Sequence, residues 1–469
     1  MIRERTLVLS SAEHRRLKAH LFPGDGKEAA AVLLCSRIQN AGVKLLVQET
    51  LLVPHAECER ATDYLRWSSA YLEQALERAE EHDLSLVLLH SHPGGSYDFS
   101  KLDDHSDQQV MPLLFGWQSH RGPDPIVHGS AIMIPTGEIK ARFYWNEGGA
   151  QPVDLVAVYG EEIELFWSDA RAGSNRPLAF TEHMTAEMRR LSFAVVGVSG
   201  TGSIVAEQLV RMGAGQVIAV DPDRVEEKNL NRILNSTVSH ADEKALKVDM
   251  FASAAGAISP KTNVVSIGRT LGCRSAVQAV AEADVVFSCV DSKAGRHIAD
   301  RLAQAMLQPL FDVGVVIPVS STGKPNSPAI PKIRNICSRV DYVFPGSPTL
   351  FGRKIWTAET LSAEEMRLAN PDAFDARVKE GYMPGMMEEA PSVICVNMQG
   401  ASNVVLEWVA RAYPYRLNGN SGFAQTISDL VSNDTESLSI LAFEPGDLGL
   451  LGTGLREPLL GMPALDDTP

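Results

Sequence analysis

The amino-acid sequence predicts an α/β protein: a small α/β domain, then a Rossmann-like, doubly wound one. Three features predict it. A strand, a glycine-rich turn, a helix and a second strand follow one another between Phe193 and Asp221. An earlier apolar strand, Leu84 to Leu89, ends in His90-Ser91-His92-Pro93. At 469 residues the chain exceeds what one ordinary core organises, so two or three domains are expected.

Composition narrows the function classes. The apolar fraction of 45% and charged fraction of 22% are those of a soluble globular protein. A net charge of −15 gives no general attraction for nucleic acid or anionic membrane, and neither is expected as a partner. The first residues do not open a signal peptide, and no apolar run nears the ~20 residues of a membrane span. The six cysteines carry no paired spacing, which points to a reducing cytoplasm with neither disulfide frame nor thiolate zinc site.

In the first half, Ala30–Leu34 and Lys44–Val53 read as strands, and the apolar spacing from Asp63 to His82 predicts a helix buried on one side. The strand that follows delivers two histidines. Residues i and i+2 of a strand point the same way, so the His90 and His92 imidazoles share a face. Ser100 and Asp103 come after a Gly-Gly loop. Two histidines and a carboxylate are the ligand set of a catalytic zinc, whose bound water attacks a carbonyl. Glu28 is the first candidate for the general base and Glu49 the second. Each piece alone also has a structural use: the strand end as a polar edge, Ser100-x-x-Asp103 as a capping box.

The spacing His-x-His-Pro, six residues, Ser, two residues, Asp, with Glu28 ahead of an apolar strand, resembles the JAMM (MPN-type) metallopeptidases over residues 1–147. The resemblance implies zinc on His90, His92 and Asp103, Glu28 as base, and Ser100 at the oxyanion. It implies cleavage after the C-terminus of ubiquitin or a ubiquitin-like protein. Asp104 competes with Asp103 but is one residue out of register.

Residues 148–178 are expected as a connector, with Val153–Tyr159 and Ile163–Trp167 as strands that finish the first domain or pack between domains. The second half, 179–469, is organised on the unit described first. Val205, Leu209 and Met212 share a helix face that Gly213 ends. Gly197, Gly200 and Gly202 let a phosphate approach the backbone at a helix N-terminus, and Asp221, 19 residues after Gly202, is spaced to reach a ribose. Asp223, Asn229, Arg232 and Lys247 follow, and a strand from Asp284 to Val290 delivers Asp291. Cations and a magnesium-binding acid suit attack of a carboxylate on an ATP α-phosphate, where charge builds on phosphate oxygens. An isolated Arg or Lys is also an ordinary solvated charge, and Asn229 also suits a helix cap.

Taken in this order, these residues resemble the ThiF/MoeB-type adenylyltransferases, relatives of the ubiquitin-activating enzymes, from about Phe180 to at least Ala410. The resemblance implies Asp221 on the ribose, Asn229, Arg232 and Lys247 around nucleotide and phosphates, and magnesium on Asp291. It implies ATP as cofactor, the C-terminal glycine of a ubiquitin-like protein as substrate, a conjugating enzyme downstream and a homodimer. Many relatives hold a zinc on cysteine pairs; here Pro345–Gly352 has no cysteine, so none is expected. For an onward thioester, Cys337, between Arg334 and Arg339, is the candidate activated by positive charge. Cys395 reads as core and Cys289 as part of a buried strand. The tail after Glu444 is left between an ordered surface extension and a partner-binding segment.

The resulting expectation is a bifunctional enzyme of a bacterial ubiquitin-like conjugation pathway, trimming or removing the modifier with zinc and adenylating it with ATP and magnesium. Sulfur-carrier activation and an NAD-dependent oxidoreductase are the alternatives.

Overall fold

The computed structural model describes residues 4–117, 125–171, 173, 176–317, 319–322, 330–333, 336–379, 393–446, 449–463 and 465. The first half runs β1 (Arg5–Ser10), α1 (Ser11–Leu21), β2 (Ala30–Gln39), β3 (Val43–Leu52), β4 (Cys58–Arg60), β5 (Leu65–Trp67), α2 (Ser69–His82), β6 (Ser85–Ser91), α3 (Lys101–Trp117), β7 (Val127–Met133), β8 (Ile139–Trp145), β9 (Gln151–Pro152), β10 (Leu155–Tyr159) and β11 (Ile163–Trp167). Nine of these strands form one mixed sheet in the order β11-β10-β1-β3-β2-β6-β7-β8-β9, while β4 and β5 pair as a separate hairpin.

One expectation changes here. The helix predicted from Asp63 begins at Ser69, because Leu65–Trp67 pair with Cys58–Arg60 and Ser68 caps the helix by accepting from the Ala70 amide. Within 148–178 the two expected strands are present as β10 and β11 and finish the first sheet, with β10 parallel to β1, and a short β9 joins them.

The second half runs α4 (Glu182–Met188), β12 (Ser192–Val196), α5 (Gly202–Met212), β13 (Gln216–Val220), α6 (Val238–Asp242), α7 (Lys247–Ile258), β14 (Asn263–Ile267), α8 (Arg274–Ala281), β15 (Val285–Ser288), α9 (Lys293–Ala305), β16 (Leu310–Val316), β17 (Val319–Thr322), β18 (Ile330–Ile333), β19 (Cys337–Val343), α10 (Ala358–Ala369), α11 (Pro371–Lys379), α12 (Ile394–Ala412), β20 (Gln425–Asp429) and β21 (Asp434–Leu438). The main sheet is β14-β13-β12-β15-β16-β19-β20-β21. Its first five strands are parallel and the last three antiparallel. The three central parallel strands β13, β12 and β15 are mostly apolar and buried, as a sheet covered on both faces requires. The order reverses between β12 and β15, the place where open α/β sheets bind ligands.

One apolar core runs through both halves: Val8, Leu46, Tyr159 and Trp167 of the first pack in the same cluster as Phe193 and Val285 of the second. Polar contacts complete the joint. Lys44 Nζ donates to the carbonyls of Ala281, Glu282 and Ala283 at 3.0, 3.2 and 2.8 Å, capping the C-terminus of α8. Tyr342 Oη donates to Gly160 O at 2.6 Å. The tail is ordered over 449–463 and lies across both halves: Gly452 N donates to Gln304 O at 3.1 Å while Ser36 Oγ donates to Gly452 O at 2.7 Å. Among the described residues no helix is long and apolar enough to cross a membrane.

Candidate functional site

In the first half, strand register explains why the polar residues meet. β2 and β6 are antiparallel with Ala30 opposite His90. Directly opposed residues share a face, and so do residues two apart on one strand. Glu28 lies just ahead of β2, near enough to this face for its carboxyl to feel both imidazoles and Asp103. Ser91 points the other way, is buried, and its Oγ accepts from the Ala29 amide at 2.9 Å.

The fourth member comes from α3. Ser100 caps this helix: its Oγ accepts from Asp103 N at 3.2 Å, and its own amide donates to Asp103 Oδ2 at 2.6 Å. The capping box thus also fixes the carboxylate that faces the two imidazoles. Asp103 faces the imidazoles, with Oδ1 at 3.1 Å from His90 Nε2 and Oδ2 at 3.4 Å from His92 Nε2. Asp104, about 100° further round the helix, turns instead to Arg142 Nη1 at 2.5 Å. Glu49 is held by Arg78 of α2, away from this cluster.

The donor set fits a zinc ion. Bonds of about 2.0–2.1 Å in a tetrahedron separate donor atoms by roughly 3.4 Å. Here the His90 and His92 Nε2 atoms are 3.1 Å apart, and one donor atom from each of the three residues lies within 4.8 Å of the others. His92 Nδ1 meets the Ser96 carbonyl at 2.9 Å, which directs Nε2 toward the shared point. Burial opposes ionisation of Asp103, but bonds from both imidazoles and the Ser100 amide hold its carboxyl well below the usual range. Burial pushes Glu28 up, with the nearby imidazoles of His90 and His92 pulling the other way. Burial pulls His92 down, but Asp103 and the Ser96 carbonyl outweigh it and its net shift is upward.

Sequence reasoning missed the clamp behind α3. Asp107 of that helix is buried and accepts from Arg142 Nη2 at 2.6 Å and Tyr144 Oη at 2.7 Å. Its position one turn after Asp103 was the available signal.

In the second half, Gly197 and Gly202 are required by geometry. Gly197 has φ +85°, and a Cβ on it would stand 3.0 Å from Cys289 O. A Cβ on Gly202 would overlap the Gly197 carbonyl. Asp221, at the end of β13, fastens this turn: its Oδ2 accepts from Val198 N at 2.7 Å and its Oδ1 from Asp223 N at 2.9 Å. Burial raises its carboxyl, while the Lys247 ammonium pulls it down. Lys247, first residue of α7, is buried and donates from Nζ to Asp223 Oδ2 at 2.7 Å. Arg232 lies beside the glycine turn, its Cδ 3.3 Å from where a Gly200 Cβ would be. Its guanidinium donates to Lys228 O at 2.8 Å. Asn229 is buried, and its Oδ1 accepts from Glu226 N at 3.1 Å: Glu226 is the cap of this short turn and Asn229 its capping-box partner, not the cap itself. Asp291 is exposed just past β15, the strand paired with β12, so it stands on the opposite side of the glycine turn from Asp221. Asn397 of α12, not foreseen, reaches Gly200.

The cysteines sit differently from expectation. Burial and Asp429 raise the Cys337 thiol against the pull of Arg339, whose guanidinium is committed to Asp312 and Asp341. Arg334 lies outside the described residues. Cys395 is exposed at the start of α12 rather than in the core. Cys289 lies just beyond β15, half-buried.

Residues 10–147 match the family model for prokaryotic homologs of the JAB domain, and residues 175–344 match the ThiF family model. The chain thus joins a JAB-type domain to a ThiF-type domain. It is similar to tRNA threonylcarbamoyladenosine dehydratase of Bacillus subtilis, 33% identical over 94 residues, which are 20% of this chain and 36% of the relative. It is similar to an adenylyltransferase and sulfurtransferase of Meyerozyma guilliermondii, 31% identical over 25% of this chain and 27% of the relative. The ubiquitin-like modifier-activating enzyme 5 of Drosophila persimilis is 30% identical over 187 residues, 35% of this chain and 48% of the relative. The chain spans less than half the length of each of these relatives. Among solved structures, E. coli MccB with succinimide aligns with a TM-score of 0.41 at 14% identity, over 55% of this chain and 66% of that one.

Proposed function

We propose that the chain is a bifunctional enzyme acting on the C-terminal tail of a ubiquitin-like protein: the first half cleaves after that tail, and the second adenylates it. The observation that carries the hydrolase reading is the convergence of His90, His92 and Asp103, with the Glu28 carboxyl near enough to feel all three. His90, His92 and Asp103 would hold zinc, which when bound polarises the scissile carbonyl and acidifies water. Glu28 takes the proton from the attacking water and delivers it to the leaving amine. The Ser100 hydroxyl, with its lone pair committed to the Asp103 amide, keeps its proton available for the developing oxyanion.

The adenylation reading is supported by the ThiF match together with the glycine turn and the charges around it. The tail carboxylate attacks the α-phosphorus of ATP, and the bond to pyrophosphate breaks. Asp221 would take the ribose, Arg232 and Lys247 the phosphate charge, and Asp291 magnesium. A homodimer and a downstream conjugating enzyme belong to this proposal. For an onward thioester the geometry favours Cys395, exposed at the head of the helix whose Asn397 adjoins Gly200, over Cys337.

The test is ATP–pyrophosphate exchange with a peptide ending in Gly-Gly, run against tRNA and a sulfur donor as competing substrates. Exchange with the peptide, abolished in Lys247→Ala, supports the proposal. Exchange with tRNA alone sinks it, as does nicotinamide bound in place of ATP. For the first half, one zinc per chain and loss of amide cleavage in Glu28→Gln are expected.

A further inference from the structure

Glu28 is not part of the sheet that carries the histidines. β2 begins at Ala30, and the segment before it has no regular structure. Ala29 is tied to the histidine strand, its O accepting from Ser91 N at 3.0 Å and its amide donating to Ser91 Oγ at 2.9 Å. Before it, Gly24 and Gly26 stand at φ +95° and +69° with open space where a Cβ would be. The ties of the Asp25–Glu28 stretch run to another element. The Arg60 guanidinium takes both carboxylate oxygens of Asp25 at 3.0 and 3.3 Å, and its other donors reach Lys27 O at 3.2 Å and Glu28 O at 2.6 Å. Glu28 N donates to Ala61 O at 2.8 Å. Arg60 and Ala61 belong to the β4–β5 hairpin and its turn, which pairs with itself and not with the nine-stranded sheet. The Arg60 side chain is only 7% exposed; of its four bonds the one to Glu28 O is part-buried, while those to Asp25 and Lys27 O face solvent.

We propose that Arg60 is a positioning residue for the Glu28 carboxylate: it stitches the Asp25–Glu28 backbone to the β4–β5 hairpin and so aims the general base at the His90–His92–Asp103 centre. This rests on the hydrolase reading above. A planar fork that satisfies a carboxylate and two carbonyls at once is beyond lysine, which has no such geometry. Losing it frees a segment with two open glycines, and a base displaced by about 1 Å costs on the order of 10²-fold.

The experiment uses the full zinc-loaded chain and a fluorogenic amide of a peptide ending in Gly-Gly. Arg60→Ala is expected to lower kcat about 10- to 100-fold, with KM within about twofold and zinc content unchanged. Arg60→Lys falls between the two. Hydrogen exchange at the Lys27 and Glu28 amides rises at least about tenfold in Arg60→Ala while β2 and β6 stay protected. If Arg60→Ala does not fold, Asp25→Ala removes the two carboxylate contacts that hold the Arg60 fork and leaves the hairpin residues unchanged, and a smaller change in the same direction is expected. A variant with unchanged kcat and unchanged exchange overturns the inference, and so does a loss traced to KM or to zinc release. Glu28→Gln separates the two claims. A dead Glu28→Gln beside a fully active Arg60→Ala sinks the positioning role alone. An inactive zinc-loaded wild type, or an unaffected Glu28→Gln, sinks the hydrolase reading, and the exchange measurement then still decides whether Arg60 holds this segment.

Discussion

Replacing Gly202 by alanine puts one methyl at the tightest point of the nucleotide turn. That methyl overlaps the Gly197 carbonyl oxygen, and would sit 2.8 Å from the carbonyl carbon and 3.2 Å from Cys289 Cβ. Non-bonded contacts to carbon are comfortable only beyond about 3.5 Å, so clearing the carbonyl oxygen needs a shift of more than about 1 Å. The turn has little room to yield, because Gly197 N is bonded to Val220 O at 2.8 Å and Val198 N to Asp221 Oδ2 at 2.7 Å. Overpacking of this kind costs about 1–3 kcal/mol, and a 1 Å error in a positioning element about 10²-fold in rate. Gly256 is the control. It lies in the interior of α7, exposed, with open space where its Cβ would be. Alanine there stabilises by roughly 0.5–1 kcal/mol. Urea unfolding gives the stability changes, and calorimetric ATP binding with pyrophosphate exchange gives the functional ones. Gly202→Ala with a wild-type midpoint and wild-type ATP affinity refutes the reasoning outright.

Further expectations concern the metal centre, a buried acid and the domain joint. Asp103→Asn removes an anionic ligand, and zinc retained after dialysis, measured by atomic emission, falls from one per chain toward zero; retention of a full equivalent would exclude Asp103 as a ligand. Asp300 is fully enclosed by the 350–356 loop, accepting from the Leu350 and Phe351 amides at 3.0 Å each, and burial pushes its carboxyl up to about 6. A raised folded value means that its stabilising contribution is complete below the ordinary value of 3.8 and is lost as pH rises through about 6. Relative to wild type, Asp300→Asn therefore gains about 2 kcal/mol between pH 4 and 7.5, whatever its constant offset; urea midpoints for both proteins that run parallel across that range would contradict this. Lys44→Met leaves three α8 carbonyls without their ammonium and costs about 2 kcal/mol, read as earlier unfolding and faster proteolysis between the halves; no change would mean water replaces the lysine freely.

Much of the centre was legible because its signals are local. Alternation along a strand put His90 and His92 on one face, and a three-residue step put Ser100 and Asp103 in one helix turn. The glycine turn and Asp221 were legible for the same reason, since strand, turn and helix are set by adjacent residues. Reading failed where distant segments compete. The helix expected from Asp63 lost its first turn to the hairpin pairing of Leu65–Trp67, a partner no helical periodicity reveals. Cys337 lost its supposed activator because Arg339 is drawn to two buried aspartates, Asp312 and Asp341.

The sequence by itself determined which side chains share a strand face or a helix turn, because backbone periodicity fixes those directions within a few residues. Spacing singled out Asp103 over Asp104, but the clamp of Arg142 of β8 on Asp104 and Asp107, which fastens α3 to the sheet, was decided only by packing. The aim of Glu28 needed Arg60, 32 positions away on another element. The docking of the two halves needed Lys44 on the α8 carbonyls and a tail lying across both. These contacts are long-range. They exist only once the chain has closed its loops, so the packing of whole elements decides them.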